Sequence, residues 1–191
     1  RISRSTLYST HGVSVCNGTV ALHLALASLG IGKGDEVIIP TFTMIASAFA
    51  VCYTGATPVF VDADRESFNI DVSKIERKLT ARTKAIMPVH IFGKMCDMDE
   101  IVALALKYGL FIIEDAAEAH GAEYEGKKAG SFSDIAAFSF FANKNITTGE
   151  GGMVVTNDEK LYLQAKYFKN VCFPITGGRN YTHDDIGFNY R

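Results

Sequence analysis

The sequence predicts an α/β fold: a mostly parallel central sheet covered by helices on both faces, in three α/β/α layers. Three observations carry it. Short runs rich in β-branched and aromatic residues alternate with helical patterns along most of the chain. Several of those runs are continuously apolar, as strands covered on both faces are. Parallel neighbours also need crossovers that pack back over the sheet, and the alternation supplies them.

In chain order, small and polar residues from Asn17 lead into an apolar-periodic helix over 19–29. A strand is expected at 36–40, a helix at 45–53, a strand at 57–61 and a helix at 72–79. Strands at 85–91 and 110–114 flank a helix at 98–108, and strands at 136–141 and 152–156 precede a helix at 159–170. The last stretch, 171–191, carries Gly177, Gly178, Asn180 and two aspartates and reads as a connection. No repeat, low-complexity tract or proline-rich linker divides the chain, so one domain over 1–191 is expected.

At 191 residues the chain is long enough for a substantial core, and its 48% hydrophobic and 21% charged residues fit a globular protein. Its 19 basic and 21 acidic side chains are mixed and give a net charge of -2, which argues against a polyanion such as DNA as partner. The longest apolar stretches fall short of the roughly 20 residues that a membrane helix takes. No charged-then-apolar leader follows Arg1, and the expected location is the cytoplasm. Cys16, Cys52, Cys96 and Cys172 are widely spaced, without a CxxC pair, and are expected to be reduced and mostly buried. Without a leader, the three N-x-[ST] sequons at Asn17, Asn145 and Asn180 are not read as glycosylation sites.

Three segments carry chemistry. EDAAEAHG at 114–121 follows the apolar run LFII, which puts Asp115 at the carboxyl end of a central strand, where ligands of such sheets bind. The plain alternative is a helix-capping aspartate. SFFANKNITTGEGG at 139–152 sets Lys144 between an apolar strand and glycines that allow close backbone approach to a ligand. A solvated loop lysine is the ordinary reading, and it leaves those hydroxyls and glycines unexplained. NGTVALHLAL at 17–26 opens a helix whose free N–H groups, with the Thr19 hydroxyl, form a phosphate site; Asn17 as a simple cap explains it equally well. Together the segments offer an anion site, a carboxylate and a lysine. Pyridoxal phosphate needs all three: a helix end for its phosphate, an acid to keep its pyridine nitrogen protonated, and an amine for its aldehyde.

NGTVALHLAL, GDEVIIPTFT at 34–43, GATPVFVDAD at 55–64, EDAAEAHG, FSFFANKNITTGEGGMV at 138–154 and IGFNYR at 186–191 follow one another in this order. On these motifs, over nearly the whole chain, the sequence resembles the DegT/DnrJ/EryC1/StrS sugar aminotransferases of the type I, aspartate-aminotransferase fold. The resemblance implies the large, pyridoxal-phosphate-binding domain of that fold, without the family's N-terminal segment and small C-terminal domain. It implies Lys144 as the covalent carrier of the cofactor, Asp115 on the pyridine nitrogen, and Ser139 with the backbone of Gly18 and Thr19 on the phosphate. Glu118 stands where many members have a glutamine on the cofactor's 3-hydroxyl. Met44 stands where members place an aromatic ring over the cofactor face, and its thioether offers a sulfur–aromatic contact instead. Asn189, in the NYR motif, is implied to reach the phosphate of the neighbouring subunit, hence a homodimer with shared sites. Glu118, with FSFFANKNITTGEGG and HDDIGFNYR, narrows the resemblance to members that aminate a nucleotide-linked keto sugar of the GDP 4-keto-6-deoxy type, with glutamate as amino donor.

Other readings are a related dehydratase branch, which carries histidine in place of Lys144, and a fragment that binds cofactor or dimerises without turnover. GAEYEGKK at 121–128 imitates a P-loop but has Lys128 where serine or threonine is needed, and no strand–loop–helix context. The five histidines form no metal-binding pattern, and His183, near the implied dimer motif, is the one singled out.

Overall fold

The computed structural model describes residues 9–175 and 181–191; Gly177, Gly178 and the sequon at Asn180 lie outside them. The strands are β1 (His11–Val15), β2 (Glu36–Pro40), β3 (Thr57–Val61), β4 (Thr83–Ile86), β5 (Phe111–Asp115), β6 (Glu123–Tyr124), β7 (Lys127–Lys128), β8 (Ile135–Ser139) and β9 (Gly152–Thr156). The helices are α1 (Gly18–Ser28), α2 (Ile45–Tyr53), α3 (Met98–Tyr108) and α4 (Glu159–Lys169). Seven strands form one sheet in the order β1-β9-β8-β5-β4-β2-β3. β9 pairs antiparallel with β8 and β1 and the other pairings are parallel, so β9 alone runs against its neighbours.

Alternate residues of the central strands feed two cores, as a period of two requires. Val37, Ile39, Ala85 and Ile113 pack with α1, α2 and α4 on one face. Ile38, Ile86 and Ile112 pack with Met98, Ile101 and Val102 of α3 on the other. α1 is buried on most sides, because α2 and α4 flank it above the sheet. α3 buries Met98, Ile101, Val102 and Ala105 as a single stripe, opens on the Asp97 cap and closes at Gly109 in the left-handed conformation.

The expected helix over 72–79 is instead two short 3-10 turns, Val72–Lys74 and Glu76–Lys78. Ile75 is the one fully buried side chain there, too little to repay helix nucleation. The strand expected at 85–91 stops pairing regularly at Ile86, because Pro88 has no N–H and the chain then turns at Ile91–Gly93. β1 and the β6–β7 hairpin were not expected. The hairpin occupies GAEYEGKK, which is therefore no phosphate loop. All four cysteines are free, but only Cys96 and Cys172 are buried; Cys52 lies on the outer side of α2 and Cys16 just before α1.

At the end of β5 the same period of two sends Glu114 toward the α3 face and Asp115 toward the α1 face. Glu114 is fully buried and accepts from the Gly130 and Phe132 amides, the Ser133 hydroxyl and His90 Nε2, at 2.8–3.0 Å. The Cys96 amide donates to His90 Nδ1, which leaves the imidazole proton on Nε2 for Glu114. Burial opposes the charge on Glu114, but the His90, Gly130 and Ser133 donors outweigh it and hold the carboxyl below its ordinary value of 4.5. Glu114→Ala would strand four buried donors, and we expect a loss of about 3–5 kcal/mol at neutral pH in urea unfolding. A depressed carboxyl stabilises above its unfolded pKa and loses that advantage as pH falls through its folded one. The gap between wild type and variant should therefore shrink below pH 4.5; a gap that is small at pH 7 or constant with pH would contradict this assignment.

Candidate active site

The carboxyl ends of β5 and β8 and the N-terminus of α1 surround a cavity of about 320 Å3. Gly18, Thr19, Met44, Asp115, Glu118, Ser139 and Lys144 all line it; Asn189 does not, and is exposed elsewhere. The position follows from topology, since open α/β sheets bind ligands outside the carboxyl ends of their strands.

Asn17 is extended and its Oδ1 accepts from the Val20 N–H at 3.1 Å. That cap leaves the Gly18 and Thr19 N–H groups without an intrahelical acceptor, so capping and anion binding are both available to one helix end. The helix end sits directly on the sheet. A Cβ on Gly18 would come within 2.7 Å of Ser139 Cβ, and one on Gly152 within 2.3 Å of the Asn17 carbonyl oxygen. Both glycines are thus required for the close approach that brings the N–H groups and the Ser139 hydroxyl together.

Asp115 is buried, and its Oδ2 accepts from the Ser47 hydroxyl at 2.8 Å while Oδ1 accepts from the Ala117 N–H at 3.2 Å. No α-helix follows it, which removes the capping alternative. Burial raises its pKa, with the Ser47 and Ala117 donors pulling the other way. Sequence reading missed Ser47; its one signal was a serine inside an apolar helix, one turn beyond Thr43, to which its hydroxyl bonds at 2.7 Å.

The Lys144 side chain is only 12% exposed, so it is not a solvated loop lysine. Its Nζ donates to Glu118 Oε1 at 3.2 Å, and Glu118 Oε2 accepts from the Phe92 N–H at 2.8 Å. Phe92 has φ of 52°, an uncommon conformation for such a residue, and the turn it occupies aims that N–H at Glu118. Nothing in the sequence near Phe92 pointed to this. Met44 precedes α2 at the cavity wall and is largely exposed. His183 Nδ1 lies 2.8 Å from the Val171 carbonyl oxygen and plays no part in the cavity.

A helix end with free donors, a buried carboxylate and a sheltered amine around one cavity fit pyridoxal phosphate. Fold and site define the class as the type I pyridoxal-phosphate aminotransferase fold. In a solved structure of DesV from S. venezuelae, in complex with a ketimine intermediate, 97% of this chain superposes on 49% of that chain with a TM-score of 0.91 at 45% identity. The chain belongs to the DegT/DnrJ/EryC1/StrS aminotransferase family, whose model matches residues 4–191. It is 59% identical over 95% of its length to GDP-perosamine synthase of Escherichia coli O157:H7. It is 51% identical, again over 95%, to UDP-N-acetyl-3-dehydro-alpha-D-glucosamine 3-aminotransferase of Acidithiobacillus ferrooxidans. It spans about half the length of these relatives, 49% and 48%.

The Ser47 donor stabilises the charged form of Asp115, so Ser47→Ala should raise the carboxyl pKa further. Carbon-detected NMR titration of Asp115 reads this directly, and an unmoved titration would show that the hydroxyl does not hold the charge.

Proposed function

We propose that the chain is the cofactor-binding domain of a pyridoxal-phosphate-dependent aminotransferase that aminates a nucleotide-linked 4-keto-6-deoxy sugar, with glutamate as amino donor. One observation carries the reading: anion donors, a buried acid and a sheltered amine line the same cavity. The greater identity to the perosamine synthase favours a GDP-linked sugar over a UDP-linked one. The Lys144 amine in the cavity separates the chain from the dehydratase branch. Four free thiols accord with a cytoplasmic site of action, and among the described residues no helix is long and apolar enough to cross a membrane.

When bound, the cofactor supplies an aldehyde that captures amines and a ring that accepts the electron pair released at the substrate carbon. The chain's residues do the rest. The Gly18 and Thr19 N–H groups and the Ser139 hydroxyl would hold the phosphate. Asp115, buried, would hold the proton on the ring nitrogen. An ion pair at about 4 Å with an effective dielectric near 20 is worth roughly 4 kcal/mol. Met44, at the cavity wall, would offer its thioether to the ring. Lys144 Nζ is first the nucleophile and then the base, moving a proton between the substrate carbon and the neighbouring cofactor carbon. Both tasks use the unprotonated amine, and Glu118 Oε1, which accepts from Nζ at 3.2 Å, orients it in the cavity.

Lys144→Ala should bind cofactor without a link that borohydride makes permanent, and should lose turnover. Lys144→Arg should not restore it, because a guanidinium stays protonated. The full-length enzyme serves for both, read by absorbance, peptide mapping and sugar amination; substantial turnover by either variant would overturn the catalytic role.

The same reading includes a homodimer in which Asn189 serves the partner's phosphate. Its support is that Asn189 is exposed and away from its own cavity, and that α2 presents Ile45, Phe49 and Tyr53 to the outside. Mixing Asn189→Ala subunits with Lys144→Ala subunits should create one competent site per heterodimer and recover activity. Heterodimers that form but stay inactive would count against shared sites.

A further inference from the structure

Two motifs that carry the family resemblance stand at opposite ends of the sequence, and the fold brings them into contact. His23, from NGTVALHLAL, is buried in α1, and its Nδ1 lies 2.9 Å from the Tyr190 hydroxyl of IGFNYR. The His23 ring meets Phe188 edge-on with centroids 4.7 Å apart, and Phe188 stacks on Tyr190 at 5.0 Å. Burial lowers the His23 pKa and raises that of Tyr190, so a neutral imidazole faces a protonated phenol.

Backbone bonds tie this segment to the end of α4, and the Tyr190 side chain adds the tie to α1. The Phe188 N–H donates to the Phe168 carbonyl at 2.7 Å, the Val171 N–H to the Phe188 carbonyl at 3.0 Å, and the Tyr190 N–H to the Lys169 carbonyl at 3.2 Å. A Cβ on Gly187 would lie 2.5 Å from the Cys172 nitrogen, so the start of the segment lies close against the end of α4. Phe188 and Tyr190 turn inward onto α1. Asn189, between them, is turned outward by the alternation of extended backbone, and is exposed.

We infer that His23 is a positioning residue: through Tyr190 it fixes the register in which Asn189 is presented to a second copy of the chain. The inference rests on the shared-site reading above. α1 then serves two sites, its own through Gly18 and Thr19 at its first turn and the partner's through His23 one turn further on. A mere packing role for His23 would leave Asn189 out of account; the register role makes the two residues act as one.

The test uses the full-length dimer, with cofactor affinity read by absorbance titration and dimer content by sedimentation. Asn189→Ala should weaken cofactor binding. Tyr190→Phe, which removes only the hydroxyl, and His23→Leu should each weaken it roughly three- to tenfold, the worth of one hydrogen bond, with the dimer intact. His23→Gln, whose amide reaches the same hydroxyl, should recover most of the loss. In an Asn189→Ala background, Tyr190→Phe should add nothing. If Asn189→Ala leaves affinity unchanged, the shared-site reading fails and this inference with it. If Asn189→Ala weakens binding but Tyr190→Phe does not, or Tyr190→Phe acts undiminished in the Asn189→Ala background, the inference fails and the shared site stands.

Discussion

The site depends on a buried carboxylate that does no chemistry. Glu114 draws the 130–133 loop and His90 onto the last turn of pleat in β5, and Asp115 follows it by one residue. The Asp115 N–H donates to the Pro88 carbonyl and its own carbonyl accepts from the His90 N–H, so His90 steadies both acids, one through its ring and one through its backbone. Two residues beyond His90, the Phe92 N–H holds Glu118, and Glu118 holds Lys144. Hydrogen bonds joined through the backbone of 90–92 thus run from the α3 side of the sheet to the amine in the cavity. Low dielectric strengthens the buried bonds around Glu114 and makes each of those expensive to lose.

The opposite wall is built by leaving atoms out. Gly18 and Gly152 let the first turn of α1 touch the ends of β8 and β9, and any side chain there would lift the helix end from Ser139. Gly18 in the first turn of a helix is entropically unfavourable, which is tolerable because α1 is held by burial on most sides. Rigid placement of donors is the gain, since donors that are already oriented need no reorganisation when an anion arrives.

Much of this was legible before any coordinates. The alternation of apolar runs located most of the strands and helices, because burial on both faces leaves a continuous apolar signature in β2, β5 and β8. Asp115 and Lys144 stood out because ionisable residues directly after such runs have few structural uses. Ser47 and Phe92 were not legible: one is an ordinary serine and the other acts through its backbone, and each gains its role from a partner far away in sequence. Residues 72–79 carried helical spacing, yet the fold offers them only the contact at Ile75 to bury. β1 was hidden by Gly12 and by burying only Val13 and Val15, and its partner β9 lies far away in sequence.

That pairing has a consequence for the order in which the molecule can be assembled. β1 joins the sheet only through β9, with Val13 opposite Val154, and α1 rests on β8 and β9. The strands β2 to β5 can come together from segments closer in sequence, but the anion-binding turn of α1 lacks its full seat on Ser139 and Gly152 until those residues have been synthesised. On a ribosome, the acid end of the cavity is therefore the early half and the phosphate end the late one. Closure of a loop this long is slow compared with local helix formation. The cofactor's charged group would then be recruited only by chains whose sheet is already complete.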